Sequence, residues 1–125
     1  MIIKASASAF ADTTAALIAA IERRGLTLFA CIDHAAGARE AGLELDDEQV
    51  FVFGNARGGT PLMQSDRRVG IELPLRMLVW REGDDVMLAY RDPLELGDSY
   101  ELQGREQVLE QLSKLLGDLA DEAAG

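Results

Sequence analysis

The chain has 125 residues, 48% hydrophobic and 27% charged, proportions that predict one soluble globular domain over residues 1–125 with its own core. Twelve basic against 22 acidic residues give a formal net charge of −10, which excludes a broad basic surface for nucleic acid. The single cysteine, Cys31, excludes an intrachain disulfide and a thiolate metal cluster, and its apolar neighbours indicate a buried side chain. No apolar run approaches the roughly 20 residues that cross a bilayer, and no signal peptide is evident, so we expect a cytoplasmic protein.

The chain begins with a predicted strand, a long helix and a second strand. Residues 1–5 are apolar enough for the first strand, helix formers dominate through Arg24, and Gly25 supplies a helix stop. The run Leu26–Ile32 (LTLFACI) is short and almost continuously apolar. Such a run predicts a strand that is buried on both faces.

Two short helices are predicted on either side of a third strand. Asp33 is a good N-cap for the first, and Gly42 can end it after about two turns. Gln49–Phe53 predicts the third buried strand. After a glycine-containing loop, Thr60 is expected to cap the second short helix and Pro61 to occupy its first position.

The C-terminal part reads as a hairpin, a loop and a long helix. Residues 75–81 and 86–91 alternate like strands around a polar, glycine-containing turn, and residues 94–104 predict a loop with at most one helical turn. A leucine-rich stripe predicts an amphipathic helix over about residues 105–120. The order β-α-β-(short α)-β-(short α)-β-β-α predicts an α+β fold with a mixed sheet of about five strands and the long helices packed on one face.

Two of the predicted strands end in polar turns that open helices, Asp33-His34 and Gly54-Asn55. If these strands are neighbours that run the same way, both helix starts open at one sheet edge and form a pocket for a small anionic or polar ligand. The stretch from Gly54 to Thr60 comes near a phosphate-binding loop, but the missing lysine excludes a nucleoside triphosphatase. Two interpretations of this stretch remain. It forms either a backbone anion cradle, assisted by Arg57, or a plain tight turn whose glycines permit positive φ.

His34 is the only histidine, which excludes any site that needs two. At a helix start its neutral form is favoured and could act as a general base, while the alternative is a histidine that satisfies backbone groups near the cap. Asp92, before Pro93, either faces the same pocket or caps a turn. No cofactor and no metal site are predicted, since one histidine with carboxylates makes a weak metal set.

Three sequence blocks, IDHAAGAREAGLEL (32–45), VFGNARGGTPLMQ (52–64) and GIELPLRMLVW (70–80), resemble in order and spacing the signatures of the bacterial and archaeal family called domain of unknown function 302, or DUF302. The resemblance covers about residues 1–93. It implies a small α+β domain, often a homodimer, with no established activity. Arg91 stands where the family pattern would have Asn, and residues 94–105 depart from its usual helical ending.

Both the family resemblance and the sequence pattern suggest site residues. The resemblance favours seven positions in its motif blocks: His34, Gly37, Asn55, Gly58, Thr60, Met63 and Gln64. The sequence pattern adds Arg57, Gly59 and Asp92.

Three functional hypotheses follow, in this order. The first is a module that binds a small anionic or polar ligand at the two helix starts. The second is a homodimeric interaction module that uses the hairpin face around Met77 and Trp80. The third is a hydrolase or isomerase in which His34 is the general base.

Overall fold

Five strands and five α-helices make up most of the chain, and the structure, a computed structural model, describes residues 1–125. The strands are β1 (Ile2–Ser6), β2 (Thr27–Asp33), β3 (Glu48–Gly54), β4 (Leu75–Glu82) and β5 (Asp85–Tyr90). The helices are α1 (Phe10–Arg23), α2 (His34–Glu40), α3 (Ala56–Ser65), α4 (Leu96–Ser99) and α5 (Glu106–Ala124), with 3₁₀ turns at Arg67–Glu72 and Pro93–Glu95.

The strands form one sheet in the order β1-β5-β4-β3-β2, and every neighbouring pair is antiparallel. The predicted α+β class and the five strands are confirmed, but the sheet is antiparallel throughout and not mixed. The connection from β2 to β3, residues 34–47, is long enough for either direction, so its length does not decide the choice. In the structure Asp33 pairs with Gln49, so α2 and the segment after it join the two strands at one end of the sheet and β3 returns beside β2 in the opposite direction.

Both long helices lie on the same face of the sheet, as predicted. Their apolar stripes meet the inward side chains of β3, β4 and β5 in one core. Its largest fully buried members include Leu17, Ile21, Phe51, Phe53, Met77, Leu88, Leu116 and Leu119. Each such side chain contributes about 1.5–3 kcal/mol on burial, which makes this contact the main stabilising layer. Met77 belongs to the core, so the prediction that it forms an exposed interaction face with Trp80 is wrong.

The opposite face of the sheet is apolar, and neither hydrophobic cluster includes its side chains. Ile3 and Ile32 are 56% and 48% exposed, while Val50, Val52 and Leu78 between them are half-buried. We call this surface the open face.

Strand β2 is an edge strand, which explains why its predicted burial on both faces is wrong. Cys31 is exposed, and its thiol donates to Gln49 Oε1 at 3.5 Å. Desolvation and the nearby Asp33 raise the pKa of the Cys31 thiol, so it stays protonated at neutral pH. This disfavours a role for Cys31 as a nucleophile.

A second, smaller cluster holds α3 against the C-terminal part of the chain. Leu62 from α3 and Val69 from the 3₁₀ turn pack there with Leu102, Leu109 and Leu112. The segment predicted as a loop with at most one helical turn contains the four-residue helix α4, and a 3₁₀ turn that begins at Pro93 leads into it. This second cluster positions α3 and α5 on either side of the largely apolar cavity described below.

Candidate functional site

The glycine-rich stretch after β3 is helical. Helix α3 begins at Ala56, and its cap is Asn55, whose Oδ1 accepts from the Gly58 N–H at 2.8 Å. Asn is at least as good an N-cap as Thr, so the predicted cap at Thr60 and helix start at Pro61 are wrong. Pro61 lies inside α3, where it gives up one backbone hydrogen bond. The Gly58 N–H, one of the groups of the predicted anion cradle, already has the Asn55 side chain as its partner.

A cavity of about 400 Å³ lies beside α3, between the start of β2, the segment before β4 and the side of α5. Five of the predicted site residues line it together: Asn55, Gly58, Gly59, Thr60 and Met63. The remaining walls are mostly apolar and come from distant parts of the chain, among them Leu26, Phe29, Leu73, Pro74, Leu75, Leu112 and Leu115. We call this space the α3 cavity.

None of the sixteen residues that line the α3 cavity carries a charge. Its polar side chains are Asn55, Thr60 and Gln111. Because Asn55 Oδ1 caps the helix, its amide NH₂ is the group left to donate to a ligand. A buried ionised ligand would find no opposite charge here, so the walls suit an uncharged molecule.

Eleven of the sixteen residues that line the cavity were not predicted as site residues, and four of them show why. Leu112 and Leu115 belong to the leucine-rich stripe of α5, which the sequence assigns to core packing. Phe29 is 57% exposed and lies at a break in the β2–β3 register, where a bulge changes the direction of the strand. Gln111 is an exposed helix residue. No sequence signal distinguishes Phe29 or Gln111 from ordinary surface residues.

The two predicted halves of the site lie at opposite ends of the strands. Because β2 and β3 are antiparallel, Asp33 pairs with Gln49 at one end and Thr27 with Gly54 at the other. His34 therefore opens α2 at the end of the sheet away from α3. The prediction that His34 and Thr60 share one pocket is wrong.

His34 and Asp92 line a separate groove of about 680 Å³ that runs over the open face. His34 is exposed, and its ring makes no hydrogen bond within the protein. Asp92 caps the following 3₁₀ turn through a bond from the Leu94 N–H at 3.1 Å, which is the turn-capping alternative. No nucleophile is hydrogen-bonded to His34, so the geometry gives little support to a general base.

The other three candidates line neither of these spaces. Arg57 and Gln64 are exposed on α3, and Gly37 is exposed in the middle of α2. Arg57 therefore does not assist a ligand in the α3 cavity. The cap predicted at Asp33 is confirmed, since its side chain accepts from the Ala36 N–H at 2.9 Å.

Asp66 lies between the end of α3 and the 3₁₀ turn and caps that turn. Only 9% of Asp66 is exposed, and its carboxylate accepts from Arg68 Nη2 at 2.8 Å and from the Glu101 N–H at 3.0 Å. The hydrogen bond from Arg68 is the main cause that holds the pKa of Asp66 well below its usual range. These bonds tie the 3₁₀ turn to the segment before α5 and so help to fix the Gly70 wall of the cavity.

The family model described as "Domain of unknown function DUF302" matches residues 2–119. The chain belongs to the DUF302 family. The match reaches into α5, well beyond the roughly 93 residues that the sequence blocks suggest.

Proteins related to this DUF302 chain include three from Brucella. It is 40% identical over 93 residues to "Fluoride-specific ion channel FluC 1" of Brucella suis, a match that covers 74% of this chain and 37% of that protein. The relatives of Brucella abortus and Brucella melitensis, named FluC 1 and FluC 2, show the same identity over 34% of their length. The DUF302 chain thus spans about a third of the length of the curated relatives it matches.

A solved structure supports the fold. The crystal structure of an uncharacterized conserved DUF302 protein from Bacillus stearothermophilus has a TM-score of 0.87 and covers 98% of this chain and 96% of its own. With 15% sequence identity, it speaks to the fold alone. No helix of the DUF302 chain combines the length and apolar character of a membrane span. No group of three or more His, Cys, Asp or Glu side chains is placed to hold a metal ion.

Proposed function

We propose that this chain binds a small, uncharged, mainly apolar molecule with a hydrogen-bonding end in the α3 cavity. The observation that carries the proposal is the pair Gly58-Gly59 in the first two turns of α3. Glycine inside a helix costs about 1 kcal/mol relative to alanine. A Cβ on Gly58 would lie 3.4 Å from Leu112 Cδ2, and one on Gly59 would lie 3.2 Å from Leu73 Cδ1. Each methyl group would lie against a cavity wall, and Leu73 would have to move by a few tenths of an ångström to admit the one on Gly59.

The size and lining of the cavity define the ligand class. A volume of about 400 Å³ falls within the range of about 300–1,000 Å³ that small-molecule sites occupy. Apolar side chains from β2, α5 and the segment before β4 would surround the body of the ligand. Asn55 and Thr60 would bind its polar end, with the Asn55 amide as donor. This narrows the anionic or polar ligand expected from the sequence to an uncharged one with a polar end.

Matched pairs of amides and carboxylates test the proposal. We expect phenylacetamide to raise the melting temperature of the protein and phenylacetate to have little effect at neutral pH, because the cavity offers no cation. Further pairs of amides and acids with chains of different length would test ligands of other sizes in the α3 cavity. Equal or stronger binding of the acids would refute the uncharged class, and no binding by any pair would refute the site.

Replacing Asn55 by Asp isolates the proposed donor. Asp caps a helix as well as Asn does, so α3 should keep its stability. The variant replaces the amide NH₂ with a carboxylate oxygen that cannot donate. We expect Asn55→Asp to melt near the wild type and to lose most of the amide-induced shift, whereas Thr14→Val on distant α1 should keep it.

Homodimer formation is a second proposed function, favoured by the open face. The apolar side chains there include the half-exposed Ile3 and Ile32, and no second layer covers them. The presence of similar segments inside longer Brucella proteins supports a module that works beside other chains or domains. Light scattering over a range of concentrations tests the dimer, which a monomer at the highest concentration would exclude.

A further inference from the structure

The open face carries acidic side chains at one end and two arginines at the other. Residues that are directly opposite in antiparallel strands share a face, so the register assigns the side chains. Glu48, Glu82 and Asp85 lie at the end where β4 turns into β5. Arg76 lies at the other end of β4, opposite Val52, and Arg91 follows β5 at the same end. Three acidic side chains line the groove at that end as well, and each already has a hydrogen bond or an ion pair within the chain: Glu72, Asp92 and Glu95. Between the two ends the face is apolar.

Three of these charges have no partner within the chain. Arg76, Glu48 and Asp85 form no ion pair and no side-chain hydrogen bond, whereas Glu82 accepts from Trp80 Nε1 at 2.6 Å and Arg91 lies 3.6 Å from Glu95. The unpaired groups lie at the margins of an apolar surface, Arg76 at one end and the two carboxylates at the other. Opposite charges at the two margins make such a surface complementary to itself when it is turned end for end.

We propose that a second copy of this chain stacks on the open face with its strands antiparallel, so that Arg76 of each copy meets Glu48 of the other. The inference rests on the proposed dimer and specifies its axis. A two-fold axis parallel to the strands would bring like charges together at both ends. An axis across the strands, through the row of Leu78 and Val50, exchanges the ends and forms the Arg76–Glu48 pair twice.

The same axis also gives a contact to Trp80, the aromatic residue of the open face. Trp80 pairs with Glu48 in the register and stands four residues from Arg76 on β4. Turning the copy end for end therefore places each Arg76 beside the indole of the other Trp80, a favourable arrangement of a cation and an aromatic ring. Five strands and about five residues along each give a face of roughly 24 by 17 Å. Two such faces remove on the order of 1,000 Å² from water, at the lower limit for a stable interface.

Charge exchange at the two margins tests this orientation. Sedimentation velocity of the full chain should show that Arg76→Glu and Glu48→Arg each weaken dimerisation about tenfold or more, because each places like charges together twice. The double variant should recover most of the wild-type association, because it restores the charge pair but not the contact of Arg76 with Trp80. Arg67→Glu and Glu110→Arg make the same changes of net charge on exposed residues away from the open face, and we expect both to dimerise like the wild type.

The emission of Trp80, the only tryptophan, gives an independent signal. Stacked sheets lie about 10 Å apart and exclude water, so Trp80 emission should shift to the blue as the protein concentration rises. A wild-type chain that is monomeric at all concentrations overturns both the dimer and its axis. A wild-type dimer that neither single variant weakens overturns the axis alone and leaves the dimer standing.

Discussion

Replacing Gly58 by alanine should make the protein more stable and less able to bind a ligand. The helix gains up to about 1 kcal/mol from the better helix former. The added methyl group lies 3.4 Å from Leu112 Cδ2 and 3.5 Å from Asn55 Oδ1, near the limit of ordinary contact, so a small part of the gain is lost in relaxation. A net gain of roughly 0.5–1 kcal/mol raises the melting temperature of a chain of this length by roughly 2–5 °C.

Gly37→Ala is the matched control. Gly37 lies inside α2, and a Cβ there would meet nothing within 4 Å. It should give a similar stability gain from helix propensity and leave the α3 cavity unchanged. Phenylacetamide should therefore bind Gly37→Ala like the wild type and bind Gly58→Ala about tenfold more weakly, since one methyl group in a close pocket changes affinity by that order.

Thermal unfolding and isothermal titration calorimetry of the three proteins separate the possible outcomes. If Gly58→Ala melts several degrees below the wild type while Gly37→Ala melts above it, Gly58 exists for close packing against Leu112. If Gly58→Ala melts higher and binds the amide unchanged, the α3 cavity is not the binding site. Either result refutes the reasoning that connects the glycines with a ligand.

Three further changes test the account of stability. Asp66→Asn removes a carboxylate whose pKa is lowered below its ordinary 3.8 chiefly by Arg68, so the stabilisation it supplies is present above that pH and is lost as the pH falls. Urea unfolding should show the largest difference from the wild type at neutral pH, and an undiminished difference in strong acid would contradict this origin. Leu119→Ala in the core should cost about 2–5 kcal/mol in urea unfolding, against less than about 0.5 kcal/mol for Leu43→Ala, which is 65% exposed. Asn55→Ala should cost about 1 kcal/mol through the lost cap, measured by thermal unfolding, and an unchanged stability would mean that water replaces the bond to Gly58.

Local chemistry made much of the fold predictable. The hairpin of β4 and β5 follows from alternation around a polar turn, and the leucine spacing of α5 follows from helical periodicity. The cap at Asp33 also needs only neighbouring residues. The direction of β3 relative to β2 could not be predicted from local chemistry, because an apolar strand has the same sequence pattern whichever way it runs. That single non-local choice separates His34 from α3.

The glycine-rich stretch in α3 likewise could not be predicted correctly from local sequence. Gly58-Gly59 suggests a loop, since glycine is a poor helix former. In the fold, Asn55 caps the stretch and the cluster around Leu62 holds it against α5, so tertiary packing overrides local preference. Five of the predicted residues do line one cavity, but its uncharged character depends on walls from Phe29, Leu73 and Leu112. These residues are distant in sequence, and only the fold brings them together.

The most direct test of the proposed binding function is an amide titration followed residue by residue in ¹H–¹⁵N correlation spectra. On addition of phenylacetamide, we predict that the largest shifts fall on the backbone amides of Gly58, Gly59 and Gly70, which line the α3 cavity, and that phenylacetate leaves them in place. Gly37 and Gly83, which do not line it, serve as internal references. Shifts confined to the open face or absent from the three cavity glycines would contradict the account.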